Sequence, residues 1–193
     1  MRRKTLFVGL GNPGAKYRGT RHNLGFDWID RLASEWAPHL AFKEAFQSLW
    51  IHFDKDGTEV HLLKPQTFMN LSGKAIQSWM TKFQAEFDLC IFLDDLDLPL
   101  GRLRLRPQGG DGGHRGLRSV IEVMGHQDIR RLRIGVGRES EGAEVSDFVL
   151  DKFSKAESQV VAQVLEKASE FSDLILTGPT DRAMNTINSF EVI

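Results

Sequence analysis

The sequence predicts an α/β sandwich, with a mixed, mostly parallel sheet between helices on both faces, three layers in all. Two observations carry this reading. Short apolar runs of strand length alternate along the chain with segments that repeat apolar residues at helical spacing. No linker, internal repeat or low-complexity stretch interrupts the 193 residues, so residues 1–193 are read as one domain.

Each element follows from local pattern. Leu6–Leu10 is a short apolar strand. Leu24–Trp36 carries Trp28, Ile29, Leu32, Ala33 and Trp36 at helical spacing. Phe42–Phe53 and Glu59–Leu63 read as strands around an Asp56-Gly57 turn. Lys64-Pro65 interrupts the chain, and Ser72–Phe83 reads as a helix. Leu89–Leu93 is a continuous apolar strand, and Leu103–Arg106 alternates as a half-buried strand does. Beyond the glycine-rich Gly109–Gly113, Leu117, Val120, Ile121 and Met124 mark a helix that Gly125 stops. Arg131–Gly137 is a further strand. Ser154 and Glu157 have capping-box spacing, and the helical pattern then runs from Val160 to Phe171. A last helix is expected from about Pro179 to Phe190.

Composition narrows the function classes. Hydrophobic residues make up 41% and charged residues 26%, the range of soluble globular chains. The longest apolar runs are too short to span a bilayer, so no membrane partner is expected. The opening Met1-Arg2-Arg3-Lys4 leads into a strand-like Thr5–Leu10 with no apolar leader between, so no signal peptide is expected. Cys90 is the single cysteine, which excludes an intrachain disulfide and fits a reducing cytoplasm. The net charge of −1 conceals two basic segments: residues 1–26 hold six Lys or Arg and no acid, and residues 102–138 hold nine Arg against three acids. Such segments read as a solvated surface or as a footprint for a local anionic partner.

Polar clusters follow three of the predicted strands: Asn12, Gln66–Asn70, and Asp94-Asp95. In open α/β sheets, ligands bind beyond the carboxyl ends of strands. Gly9-Leu10-Gly11-Asn12-Pro13-Gly14 matches a dinucleotide-binding spacing, but Pro13 and Gly14 favour a turn and the helix starts only near His22, which disfavours that reading. His22, at a helix entrance, suits either a general base or a capping or packing role. Asn70 and Ser72 suit helix capping, and Asn70 equally suits binding a peptide backbone. Asp94, Asp95 and Asp97 suit Mg²⁺, the orientation of a histidine, or a solvated loop; no second cluster at ligand spacing supports the metal, which ranks it below histidine orientation. Gly109–His114 resembles an anion-binding helix entrance but lacks the lysine and Ser/Thr of a nucleotide-triphosphate loop. Cys90 reads as core packing. His39, His52, His61 and His126 have no distinctive neighbours and read as structural or exposed.

Together these blocks resemble the bacterial peptidyl-tRNA hydrolase family. The matching stretches are Val8–Gly14 with Tyr17 and Thr20–Asn23, then Thr67–Lys74, Asp94–Pro99 with Gly101, Gly112–His114, and Arg131–Gly135, in the family's order and over nearly the whole chain. The resemblance implies a monomeric enzyme that cleaves the ester joining peptide to tRNA with water, without cofactor or metal, in the cytoplasm. It implies His22 as base and Asp94 as the acid that holds it. Asn12 and Asn70 are implied as amides that bind substrate, Tyr17 and Met69 as lining of a peptide channel, and His114 as a histidine near the cleft. Arg106 and Arg133 are implied as a clamp for a tRNA phosphate. Arg115 departs from the family's usual Asn, so that residue's role does not transfer, although the position belongs to the substrate site. Asp111 also replaces the more usual His. The competing expectation is a catalytically inactive RNA-binding relative of the same fold; retention of His22, Asp94, Asn12 and Asn70 speaks against it.

Overall fold

The computed structural model describes residues 3–138 and 144–192. Met1 and Arg2 of the basic opening run lie outside them. The strands are β1 (Lys4–Gly9), β2 (Lys43–Ala45), β3 (Ser48–Lys55), β4 (Thr58–Pro65), β5 (Asp88–Asp95), β6 (Leu103–Arg106) and β7 (Arg130–Gly135). They form one sheet in the order β2-β3-β4-β1-β5-β7-β6. The four central strands run parallel, and the antiparallel pairings lie at the two edges. The helices are α1 (Leu24–Trp36), α2 (Ser72–Phe83), α3 (Arg115–Met124), α4 (Val145–Leu150), α5 (Lys155–Glu166), α6 (Ala168–Thr177) and α7 (Thr180–Ser189).

Alternation along the central strands splits the core in two. Phe7, Cys90 and Phe92 face α1, α5, α6 and α7. Leu6, Val8, Ile91 and Leu93 face α2 and α3. This is the period of a strand buried on both sides, and it makes the expected three layers. Phe92 joins sheet to helix, edge-on to Phe7 at 5.3 Å and stacked on Trp28 at 5.6 Å. Truncating it to alanine costs about 3–5 kcal/mol. Cys90 is fully buried, and burial pushes its thiol up to about 12, as suits packing rather than nucleophilic work.

The helix boundaries of α1 and α2 agree with the sequence pattern. Gly125 ends α3 in the left-handed conformation, at φ 74°. The capping box at Ser154 and Glu157 is made in both directions. Three details differ from expectation. The predicted strand Phe42–Phe53 is broken by a two-residue turn at Phe46-Gln47, whose φ angles are 54° and 55°. Non-glycine residues rarely adopt that conformation, so no turn chemistry announced it. The helical tail breaks at Lys167 into α5 and α6, with the Lys167 N–H bonded back to Val164 as the first helix ends. The short α4 went unread, since six residues are too few to show a period. No helix among the described residues is long and apolar enough to cross a membrane.

Candidate active site

A cleft of about 960 Å³ opens beyond the carboxyl ends of β1, β4 and β5. Its lining includes Asn12, His22, Met69, Asn70, Asp94, His114, Arg115 and Arg133. The three polar clusters that followed predicted strands therefore converge on one place.

His22 lies on a 3-10 turn, Arg21–Asn23, just before α1. Its approach to β5 depends on glycine. A side chain on Gly25 would collide with the backbone of Leu10 and Phe92, and one on Gly9 would strike the Gly25 carbonyl. Helix α1 thus sits closer to β1 and β5 than any other residue allows. Arg21 anchors the same turn from below. Its guanidinium donates to the carbonyls of Asp151 and Lys152, pairs with Glu157 at 2.8 Å, and stacks on Phe148.

Asp94, 3% exposed, receives two histidines. His22 Nδ1 lies 2.9 Å from Asp94 Oδ1 and 3.0 Å from Oδ2, and His114 Nε2 lies 3.0 Å from Oδ1. The tautomers follow from the partners. His114 Nδ1 accepts the Leu117 N–H at the start of α3, so its proton sits on Nε2 and is donated to Asp94. His22 likewise donates from Nδ1 to the carboxylate, leaving its Nε2 lone pair without a partner among the described residues. Burial alone would raise the Asp94 carboxyl; the two imidazoles outweigh it and hold Asp94 well below the usual carboxylate range. His22, Asp94 and His114 also have the spacing of a metal-ligand set. In these tautomers, however, both nitrogens that face Asp94 carry protons and offer no lone pair to an ion.

Asn12 is fixed on three sides. Its backbone N–H donates to Asn23 Oδ1 and its carbonyl accepts from Asn23 Nδ2, while its own Oδ1 accepts the Met69 N–H at 2.8 Å. With the amide oxygen committed, Asn12 offers the cleft its Nδ2 as a donor. Asn70 is exposed at the rim, with neither amide atom held by another of the described residues. Neither Asn70 nor Ser72 caps α2; Ser72 donates instead to the Met69 carbonyl.

The remaining candidates divide. Met69 is buried in the wall against Gly116, where any side chain would collide with its sulfur. Tyr17 lies outside the lining, with Lys16 over its ring at 4.7 Å. Arg115 begins α3, is exposed at the cleft edge, and forms no ion pair among the described residues. Arg133 pairs through Nε with Asp95 and faces Asp97 at 4.0 Å. Arg106 is exposed on the same face of the sheet, opposite Arg131 in the pairing of β6 with β7. The glycine loop is not an open anion site, because the Asp111 carboxylate already accepts the Gly113 N–H and pairs with Arg118.

Three contributors escaped sequence reading. Asn23 clamps the backbone of Asn12. Arg131, 2% exposed, holds the glycine loop by donating to the Gly109 and Gln127 carbonyls. Helix α4 supplies Ser146, Phe148, Val149 and Leu150 to the cleft wall. Asn23 and Arg131 stood inside the quoted motifs without a role. Nothing in the sequence placed α4 at the site.

Residues 6–192 match the family model described as peptidyl-tRNA hydrolase. The chain is 42% identical to a peptidyl-tRNA hydrolase of Pseudothermotoga lettingae, covering 97% of this chain and 98% of that protein. It is 46% identical to one from Prochlorococcus marinus, covering 98% and 95%. The fold superposes on the crystal structure of peptidyl-tRNA hydrolase from Acinetobacter baumannii with a TM-score of 0.90 and 34% identity, covering 99% of this chain and 97% of that one. Sequence, fold and cleft agree, and the chain belongs to the peptidyl-tRNA hydrolase family.

Proposed function

We propose that this chain, working as one domain and as a cytoplasmic monomer, hydrolyses the ester between peptide and tRNA by water that His22 activates. The observation that carries the mechanism is the hydrogen-bonded array His22–Asp94–His114 beside the fixed Asn12 amide. Asp94 holds His22 with Nδ1–H inward, so Nε2 is the base. It takes a proton from water as the water oxygen bonds to the ester carbonyl carbon. The carbonyl electrons move onto oxygen, where the Nδ2 donors of Asn12 and Asn70 stabilise the charge; one such donor is worth about 10²–10³ in rate. When the tetrahedral intermediate collapses, the bond to the ribose oxygen breaks. The imidazolium, stabilised by Asp94, returns its proton to that oxygen. Peptide acid and tRNA leave, and the tRNA is recycled for translation.

The RNA side is carried by Arg106 and Arg133 with Arg115. Because Arg133 already pairs with Asp95, Arg106 and Arg115 supply more of the uncompensated charge toward phosphate. Arg115 stands where an amide is usual, and a guanidinium donates but cannot accept, so it suits an oxyanion of the backbone rather than a carbonyl-holding role. Tyr17 and Met69 belong to the peptide side, Met69 through the wall it forms and Tyr17 only for a substrate that extends beyond the cleft.

The test is incubation of the purified chain with peptidyl-tRNA in the presence of a chelator and without nucleotide. Release of peptide is expected. Tight tRNA binding without ester cleavage would overturn the proposal and leave an RNA-binding relative in its place.

A further inference from the structure

A second histidine–carboxylate–histidine group stands away from the cleft, on the outer hairpin of the sheet. His52 and His61 are paired across β3 and β4, so both project from one face. Their rings lie 5.3 Å apart at an interplanar angle of 16°. Glu59 precedes His61 by two residues on the same strand, and its Oε1 lies 2.7 Å from His61 Nε2. One ligand atom from each of the three residues falls within 4.8 Å of the others. Glu59 is paired with Lys4, the first residue of β1, whereas the cleft opens beyond Gly9 at that strand's other end.

The buried imidazole is incompletely satisfied. His61 is 1% exposed, and its Nδ1 has no hydrogen-bond partner among the described residues. Trp79, Phe83 and Phe87 meet its ring edge-on at 5.0, 5.4 and 5.2 Å. A lone pair enclosed by aromatic rings gains nothing, whereas an N–H there interacts weakly with their faces. Moving the single proton to Nδ1 would turn the Nε2 lone pair toward the Glu59 carboxylate. At the 2.7 Å separation a proton bridges the two atoms; a metal ion that displaced that proton would take up both lone pairs as the two groups move slightly apart.

We propose that His52, Glu59 and His61 bind a zinc ion that staples β3 to β4. Two imidazoles and one carboxylate are a common zinc ligand set, with water filling the fourth position. Lys4 lies 3.3 Å from Glu59 Oε2, so the carboxylate ligates through Oε1 alone. His52 is exposed and supplies the route of entry. Trp50 stacks on both imidazoles, at 5.5 Å from His52 and 6.2 Å from His61, and serves as a built-in reporter.

The test uses the full chain without an affinity tag, stripped with chelator and titrated with zinc chloride by calorimetry. One ion per chain is expected, with a change in tryptophan emission at the same midpoint and a raised melting temperature. His52→Ala and Glu59→Gln should each weaken binding by at least about tenfold, while His22→Ala leaves it unchanged. Both positions lie at the surface side of the group, so circular dichroism should show intact folds. Absence of saturable binding would overturn the site. So would unchanged affinity in both variants, or loss of binding in His22→Ala alone.

Discussion

The cleft and the outer hairpin each hold two histidines and one carboxylate, and the arrangement of the three differs. In the cleft the carboxylate is the buried centre. Asp94 takes an N–H from each imidazole, and the Leu117 N–H closes the far nitrogen of His114. Every inward-facing group there is satisfied, and the one nitrogen left over, His22 Nε2, belongs to a residue that lines the cleft. On the hairpin the buried member is an imidazole, His61, and the carboxylate is the more exposed partner. One nitrogen of His61 remains unsatisfied inside the protein. In the proposed mechanism and the proposed zinc site, the same residue types handle a proton in one place and accept a cation in the other. Burial order and hydrogen-bond closure decide which.

Substituting the two outer histidines tests this contrast most directly. His22→Ala should lower turnover on peptidyl-tRNA by at least about a hundredfold, the scale of a lost general base. His52→Ala, with the equivalent residue of the other group removed, should leave turnover unchanged. Steady-state rates on one purified substrate decide it, and near-normal activity in a folded His22→Ala enzyme would sink the mechanism.

His114 tests the closure itself. His114→Ala removes one donor to Asp94 together with the side-chain cap of α3, a cap being worth about 1 kcal/mol. Turnover should fall by about tenfold, less than for His22, with little change in the Michaelis constant, since the base remains and only its support loosens. A fall as large as that of His22→Ala would mean His114 handles a proton itself.

The basic face gives a smaller and different effect. Arg106→Ala and Arg115→Asn should raise the Michaelis constant several-fold and flatten the salt dependence of tRNA binding by about one unit of slope each. Arg133→Ala should do less, because Asp95 already neutralises that guanidinium. Binding measured at two or more salt concentrations separates the three, and slopes unchanged from the unsubstituted chain in all of them would remove the clamp.

How much of this was legible in the sequence depends on distance along the chain. Strand and helix periods gave the central sheet, α1 and α2, since each rests on at most 13 neighbouring residues. The placement of Asn12, Asn70 and Asp94 at strand ends was legible because the fold class fixes where such ends point. The pairing of His114 with Asp94 was not, since it depends on how the α3 entrance meets β5 across 20 residues. The hairpin group was hidden for a related reason. His52 and His61 become neighbours only through the register of β3 on β4, and a one-residue slip would turn one set of side chains to the other face. The resemblance implied Arg133 as part of a phosphate clamp, and its pairing with Asp95 was hidden because that carboxylate stands on another strand.

A third carboxylate shows what burial does where partners fail to outweigh it. Asp94 is the more deeply buried, yet it is held low. Asp27, on α1, is raised to about 6, first by burial and then by the nearby charge of Asp30, with Lys64 opposing only in part. The unfolded chain ionises Asp27 near its ordinary value of about 4, while the folded chain keeps its proton until about 6. Between those values the folded state binds more protons, so Asp27's contribution to stability falls as pH rises through that window and stays lost above it. The shift corresponds to roughly 1–2 kcal/mol once partial solvent contact is discounted. Asp27→Asn removes the charge and should raise the melting temperature at pH 7 by about 2–6 °C, with no gain at pH 4. Thermal denaturation of both proteins at the two pH values measures this. A gain that is the same at pH 4 and pH 7 would show that packing, not the carboxylate's charge, is what the substitution changes.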